Sequence, residues 1–281
     1  MNCLSLIQQR YSSMSPVEKK IADCIMSDLE TAINSTVVYI AAKAGVSEGS
    51  VINFAVSLGC KGFSQLKINL AQYASTFSVQ DRIQNDDIPK QVMRKLIDRA
   101  IASFESTYDT MDENLENAVD MLLHAGKIIV IGMGHSMSIA NDLAIRMMRI
   151  GLPARAETDP LLASIASAQM QEKDVVFAVS SSGRTRDVLA VGKMAHSVGA
   201  KVICLTSYAS SPLSKMSDIA LVAVSLEAQN YHEATTARLT QLMIGDCLID
   251  CMTSRIGNEA IVHLDKMVEI YEENRESISL T

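Results

Sequence analysis

Two stretches of this 281-residue chain concentrate the residue types that hold anions. Residues 132–136 read GMGHS and residues 180–185 read SSSGRT. Each follows a short apolar run, KIIVI (127–131) or DVVFAV (174–179), and each precedes a stretch of helical periodicity. Glycine lets backbone N–H groups come close to an anion, and the start of a helix adds partial positive charge. Serine and threonine hydroxyls add donors without changing net charge. Gly134, His135 and Ser136 in the first loop, with Ser180, Ser181, Ser182, Gly183 and Thr185 in the second, are therefore candidate ligands of a phosphate monoester. Taken alone, GMGHS is a weak signal: a dinucleotide fingerprint needs a third glycine, and position 137 is Met. A serine cluster alone reads equally well as helix capping. Both loops at strand ends of one sheet point to phosphate.

Sugar-phosphate isomerisation would also require a general base beside the sugar carbons. His135, Glu157, Asp159, His232 and Glu233 have suitable side chains, but none lies in a pattern diagnostic of catalysis. No catalytic residue is assigned, and an enzyme of phosphosugars stays as the alternative reading. Glu233 is a candidate for contacting sugar hydroxyls, or it begins the following helix. Arg184 and Arg186 flank the second loop and are as readily surface charges.

The elements that must position these loops change character along the chain. Residues 1–75 read as helices. Ser15-Pro16-Val17-Glu18 combines a cap, a proline at the first helical position and a glutamate at the third. A second start falls at Ser35, with Val37, Ile40, Ala41 and Ala44 at helical spacing and Gly45 as the stop. Ser47 caps a third helix carrying Val51, Phe54, Ala55 and Leu58 on one face, ended by Gly59. The sequence KGFSQLKINL opens another. Helical periodicity continues to Ala125, broken by the polar stretch 80–90, which is the expected linker. After Gly126 five β-rich runs alternate with helices: 127–131, 153–156, 174–179, 201–206 and 218–224. Continuously apolar strands alternating with helices predict a parallel sheet covered on both faces. Residues 233–277 read as helical.

Composition limits the function classes. The chain is 48% hydrophobic and carries a net charge of −7, so any nucleic-acid contact must come from a local patch. No basic-then-apolar leader pattern is present, and no apolar run approaches the ~18–20 residues of a membrane span. The six cysteines form no C-x-x-C pair and read as free buried thiols of a reducing cytosol. Neither a metal site nor a cofactor is expected.

At this level the sequence resembles two known modules. IGMGHS, AVSSSGRTRDVL and GAKVICLTSYASSPLSKMSDIAL are similar to the sugar isomerase (SIS) domain, which binds phosphosugars. The resemblance implies that Ser136, Ser180, Ser182 and Thr185 hold the phosphate. IAAKAGVSEGSVINFAVSLGCKGFSQLK (40–67) resembles the helix-turn-helix of the RpiR/MurR regulators, and TTARLTQLMIGDCLID (235–250) the helix after their SIS sheet. The implied architecture is α plus α/β: a helix-turn-helix domain over 1–76, a helical linker and the start of the SIS domain over 77–125, and a five-stranded parallel-sheet αβα sandwich over 126–281. The implied function is a cytoplasmic transcriptional regulator of sugar or amino-sugar catabolism; the alternatives are a SIS-fold phosphosugar isomerase or related enzyme, or a sugar-phosphate-binding protein that has lost DNA binding. Its expected partners are operator DNA, a phosphosugar effector and further copies of itself, as a homodimer or homotetramer, with no membrane.

In such a module the second helix enters the major groove. Here it spans about Ser47 to Leu58, with Gly49, Ser50, Asn53 and Ser57 on the groove side. Asn53 suits an adenine edge. Lys43, Lys61 and Lys67 are the expected phosphate contacts, and Ser47 and Glu48 begin the helix. The helix departs from the family pattern in holding no Lys or Arg; Glu48 is its only charge. Residues 1–75 carry a net charge of +1, leaving −8 for the rest. The family also places a histidine shortly after the position of Asp159, where this chain reads Pro160-Leu161-Leu162.

Overall fold

A computed structural model describes residues 3–11, 14–75, 83–225 and 235–275. The chain divides into two compact units. One runs to Met111 and includes Val224–Thr236; the other comprises Asp112–Ala223 and the chain from Ala237 onward.

The first unit is built from α1 (Cys3–Arg10), α2 (Pro16–Ser27), α3 (Leu29–Asn34), α4 (Val37–Ala44), α5 (Glu48–Ser57), α6 (Phe63–Ser75) and α7 (Pro89–Thr110). The predicted capping box is present: Ser15 Oγ accepts from the Glu18 N–H, and Glu18 Oε2 accepts from the Ser15 N–H. The second start falls one residue later than expected, because Thr36, not Ser35, caps α4 through the Tyr39 N–H. Ile21, Ile25, Ile40, Val51, Phe54, Leu66 and Leu70 form the buried centre of this unit. Burying each such side chain contributes about 1.5–3 kcal/mol. The Cys3 and Cys60 thiols approach to 3.6 Å, and Asn69 Nδ2 reaches both. Burial pushes the Cys60 thiol up to about 11, which keeps it protonated and unreactive.

The second unit contains α8 (Glu113–Leu123), β1 (Ile128–Gly132), α9 (His135–Arg149), β2 (Ala154–Glu157), α10 (Pro160–Ser167), β3 (Val175–Val179), α11 (Arg186–Ser197), β4 (Lys201–Thr206), α12 (Pro212–Met216), β5 (Ile219–Val222), α13 (Thr235–Ile256) and α14 (Asn258–Glu273). The five strands are all parallel, in the order β2-β1-β3-β4-β5. Both faces are covered, which is why β1 and β3 are buried at every position. On one face α10, α11 and α12 pack over Ile129, Ile131, Val176, Ala178 and Val202. On the other, α9 packs on β1, β2 and β3. The stretch 233–277 is not one helix: Gly257 separates α13 from α14.

At the amino end of the sheet, Asp218 ties β4, β5 and α11 together. It accepts from the Val202 N–H at 2.8 Å, His196 Nε2 at 2.9 Å and Lys201 Nζ at 3.2 Å. Burial pushes its carboxyl up, but these three donors outweigh burial and hold it below the usual carboxylate range. No helix among the described residues is long and apolar enough to cross a membrane.

Candidate functional site

The strand order brings the two anion loops side by side. From β1 the chain winds outward to β2, then returns past β1 to β3 and continues to β4 and β5. The switch of direction falls between β1 and β3, whose ends are in register at Gly132 and Val179. The GMGHS and SSSGRT loops therefore leave adjacent strands at their carboxyl ends, where ligands of open parallel sheets sit.

The SSSGRT loop is held by a dense internal network. Ser180 is 2% exposed. Its N–H donates to the Leu205 carbonyl at 3.0 Å, and its Oγ lies 3.1 Å from Thr185 Oγ1. The Ser181 carbonyl accepts from the Ser207 N–H at 3.0 Å and from Thr206 Oγ1 at 3.2 Å. Ser181 Oγ accepts from Gln241 Nε2 of α13 at 3.0 Å. Ser182 is exposed, and its Oγ accepts from the Arg184 N–H. Gly183 is buried with φ +60°, its carbonyl accepting from the Leu213 N–H. Arg184 and Arg186 are both exposed.

In the other loop, Gly134 and His135 are exposed and Ser136 is 7% exposed. Turn hydrogen bonds from Ser136 N–H to the Met133 carbonyl and from Met137 N–H to the Gly134 carbonyl fix its course into α9.

The two helices that follow share a feature. Thr36, Ser47, Asp112 and Asp159 each cap their helices by a side-chain hydrogen bond. At α9 the cap position is Gly134, which has no side chain to offer. At α11 it is Thr185, whose hydroxyl pairs with Ser180 and makes no cap hydrogen bond. Both helices thus begin beside the sheet's switch point with their first N–H groups uncapped by side chains, and such ends favour an anion.

Some residues of this region escaped the sequence reading. Thr206, Ser207 and Ser211 belong to the hydroxyl-rich run TSYASS that begins at the last residue of β4, a visible signal. Gln241 gave none, being the one amide in the helical stretch TQLMI. Glu233 and His232 lie outside the described residues. Asp159, a candidate base, caps α10 through the Leu162 N–H at 2.9 Å, and Glu157 pairs with Arg155 at 3.0 Å.

In the first unit, α4, the Gly45–Val46 turn and α5 form the helix-turn-helix. Val51, Phe54, Ala55 and Leu58 are buried as expected, and Gly49, Asn53 and Ser57 are exposed. Ser50 is half-buried; its N–H and hydroxyl both meet Ser47 Oγ, at 3.2 and 2.8 Å. Glu48 sits in the first turn, and the Ser57 carbonyl accepts from Arg10 Nη1 at 2.8 Å. Two apolar side chains also point outward from α5, Ile52 at 42% and Val56 at 53% exposed. Of the three lysines, Lys43 pairs with Asp28 at 3.6 Å and Lys67 donates to the Ser35 carbonyl at 2.8 Å. The Thr31 hydroxyl and N–H hold the Asp28 carboxyl below its usual range, with Lys43 a smaller influence. Lys61 is exposed. Lys61 and Lys67 line a hollow of about 660 Å³ together with Ser35, Thr36 and Ile52.

Comparison with known proteins matches both units. The helix-turn-helix domain of the rpiR family matches residues 1–77, and the SIS domain matches residues 121–250. The HTH-type transcriptional regulator HexR of Pseudomonas aeruginosa is 32% identical over 95% of both chains. An uncharacterized HTH-type transcriptional regulator of Bacillus subtilis, YbbH, is 35% identical over 94% of both. Among solved structures, the Vibrio vulnificus NanR protein complexed with ManNAc-6P is 26% identical, with a TM-score of 0.65, covering 98% of this chain and 100% of that one.

Proposed function

The chain belongs to the rpiR family of helix-turn-helix transcriptional regulators with a SIS domain, and we propose that it senses a phosphorylated sugar and adjusts its hold on operator DNA accordingly. DNA binding is assigned to residues 1–76 and effector binding to 126–281, joined by the helices of 77–125. The observation that carries the sensing half is the pair of side-chain-uncapped helix starts, α9 and α11, at adjacent strand ends with Ser136 and Ser180 buried beside them. Gly134, His135, Ser181, Ser182, Gly183 and Thr185 complete the seat, with Glu233 as a further sugar contact. An amino-sugar 6-phosphate is the first effector class to try, because the similar NanR structure holds ManNAc-6P.

On the DNA side, Asn53 offers the base-reading amide, and the exposed Ile52 and Val56 offer apolar contact to thymine methyl groups. The hollow lined by Lys61, Lys67 and the start of α4 suits a backbone phosphate. Ser47, Glu48, Ser50, Ser57 and Lys43 are further candidate DNA contacts in this reading. With no cation on α5, a homodimer or homotetramer on a two-part operator would supply the needed affinity. The protein would act in the cytoplasm on genes of sugar or amino-sugar catabolism. Effector binding changes DNA affinity only by favouring one conformer over another. An enzymatic reading is less favoured, since Asp159 and Glu157 are engaged as a cap and an ion pair.

The test is a thermal-shift panel of N-acetylmannosamine 6-phosphate, glucose 6-phosphate, fructose 6-phosphate and arabinose 5-phosphate, coupled to selection of DNA fragments. An effector at a hundred times its Kd adds about 2.7 kcal/mol and raises the melting temperature. One sugar phosphate should do so and also alter the enrichment of a DNA sequence. No shift across the panel, or no enriched DNA with or without sugar, overturns the proposal.

A further inference from the structure

Beneath the SSSGRT loop, two buried side chains carry polar atoms without a partner among the described residues. Gln241 is fully buried; its Nε2 donates to Ser181 Oγ at 3.0 Å, but its Oε1 accepts nothing. Ser207 is 8% exposed; its N–H donates to the Ser181 carbonyl, but its Oγ is unpaired. Both residues abut Ser181, between Ser180 and Ser182 of the phosphate loop. Native interiors rarely leave such groups unsatisfied, because each costs the full desolvation of a polar atom.

These two atoms differ in kind from the donors around them. A phosphate dianion only accepts hydrogen bonds, and so does the amide carbonyl of Gln241, so Oε1 repels the phosphate. The serine hydroxyl both donates and accepts. A sugar hydroxyl matches the pair, donating to Oε1 and bonding Ser207 Oγ in either sense. The amide is oriented by its bond to Ser181 Oγ, which leaves Oε1 as the unpaired group; the rotated amide would leave Nε2 instead, a donor that a sugar hydroxyl satisfies but that no longer excludes phosphate. We infer that Gln241 and Ser207 form a second subsite that reads hydroxyl groups of the sugar, while the loop and helix starts hold its phosphate. The inference rests on the phosphosugar reading above.

The full chain is titrated by calorimetry with the tightest sugar phosphate of the panel, and inorganic phosphate is measured by competition. Gln241→Met should weaken the sugar phosphate by roughly 10- to 100-fold and reorder the panel, leaving inorganic phosphate unchanged. Ser180→Ala should weaken both ligands together. If Gln241→Met weakens both equally, Gln241 merely props Ser181 and the inference fails; it fails too if neither changes. Should Gln241→Met not fold, Ser207→Ala carries the same comparison, with a loss of about fivefold or more confined to the sugar phosphate. A wild-type protein that binds neither ligand removes the phosphosugar reading itself, a different result from a variant that loses discrimination.

Discussion

Gly45, in the turn between α4 and α5, has φ +64°, and Gly183, in the loop between β3 and α11, has φ +60°. The backbone angles are nearly the same, but the surroundings are not. A Cβ on Gly45 would meet nothing within 4 Å, whereas one on Gly183 would fall 2.2 Å from Ser211 Oγ and 2.4 Å from Ser211 Cβ. The turn in the DNA-facing unit asks only for a left-handed angle. The SSSGRT loop asks for the angle and for the missing side chain, because Ser211 and Thr206 press on it from behind. The same contrast runs through the polar groups. The SSSGRT backbone is tied at Ser180, Ser181 and Gly183, while Gly49, Asn53 and Ser57 of α5 stand open to solvent. A small anion needs a rigid, preformed seat; a groove of DNA needs a face left free.

Three substitutions would sharpen or break this comparison. The largest effect is expected from Gly183→Ala, which adds backbone strain to a clash with Ser211, the residue that caps α12. The combined cost is about 2–5 kcal/mol, read by denaturant unfolding, with loss of sugar-phosphate binding. A variant as stable as the parent would show the loop to be plastic. Asn53→Ala comes next: base preference at one operator position should relax by about 1–3 kcal/mol in a binding selection, with stability unchanged. An unaltered preference would move base reading elsewhere on α5. Gly45→Ala should be the mildest, costing about 1 kcal/mol from the angle alone. If it costs as much as Gly183→Ala, the distinction between the two turns is wrong.

Much of this architecture could be read from residue pattern alone. The five β-rich runs became β1 to β5; β1 and β3 are apolar and buried throughout and are hard to mistake, whereas β2, reading ARAE and buried only at Ala154, showed only by its place in the strand–helix alternation. Gly151 and Gly199, at positive φ just past the ends of α9 and α11, are helix stops of the kind a sequence shows. The helix-turn-helix core was legible because Val51, Phe54, Ala55 and Leu58 repeat at helical spacing. Boundaries were less secure: Ser35 and Thr36 are adjacent hydroxyl residues, and only the hydrogen bond to Tyr39 decides between them. The break at Gly257 escaped notice, since helical periodicity resumes at once on its far side. Gln241 was invisible for a different reason. A lone glutamine in a helix normally faces water, and its burial follows from packing against a loop some 60 residues earlier in the chain. Ile52 and Val56 are the converse, apolar side chains that the fold leaves outside.

The absence of any cation on α5 has a consequence for ionic conditions. Protein–DNA affinity falls with salt by a logarithmic slope of about 0.9 for each phosphate neutralised. Lys43 and Lys67 must exchange their bonds to Asp28 and the Ser35 carbonyl for any phosphate they meet, so few ammonium groups displace counterions outright. A shallow salt slope follows, and recognition that outlasts swings of ionic strength large enough to strip a more basic regulator from its site.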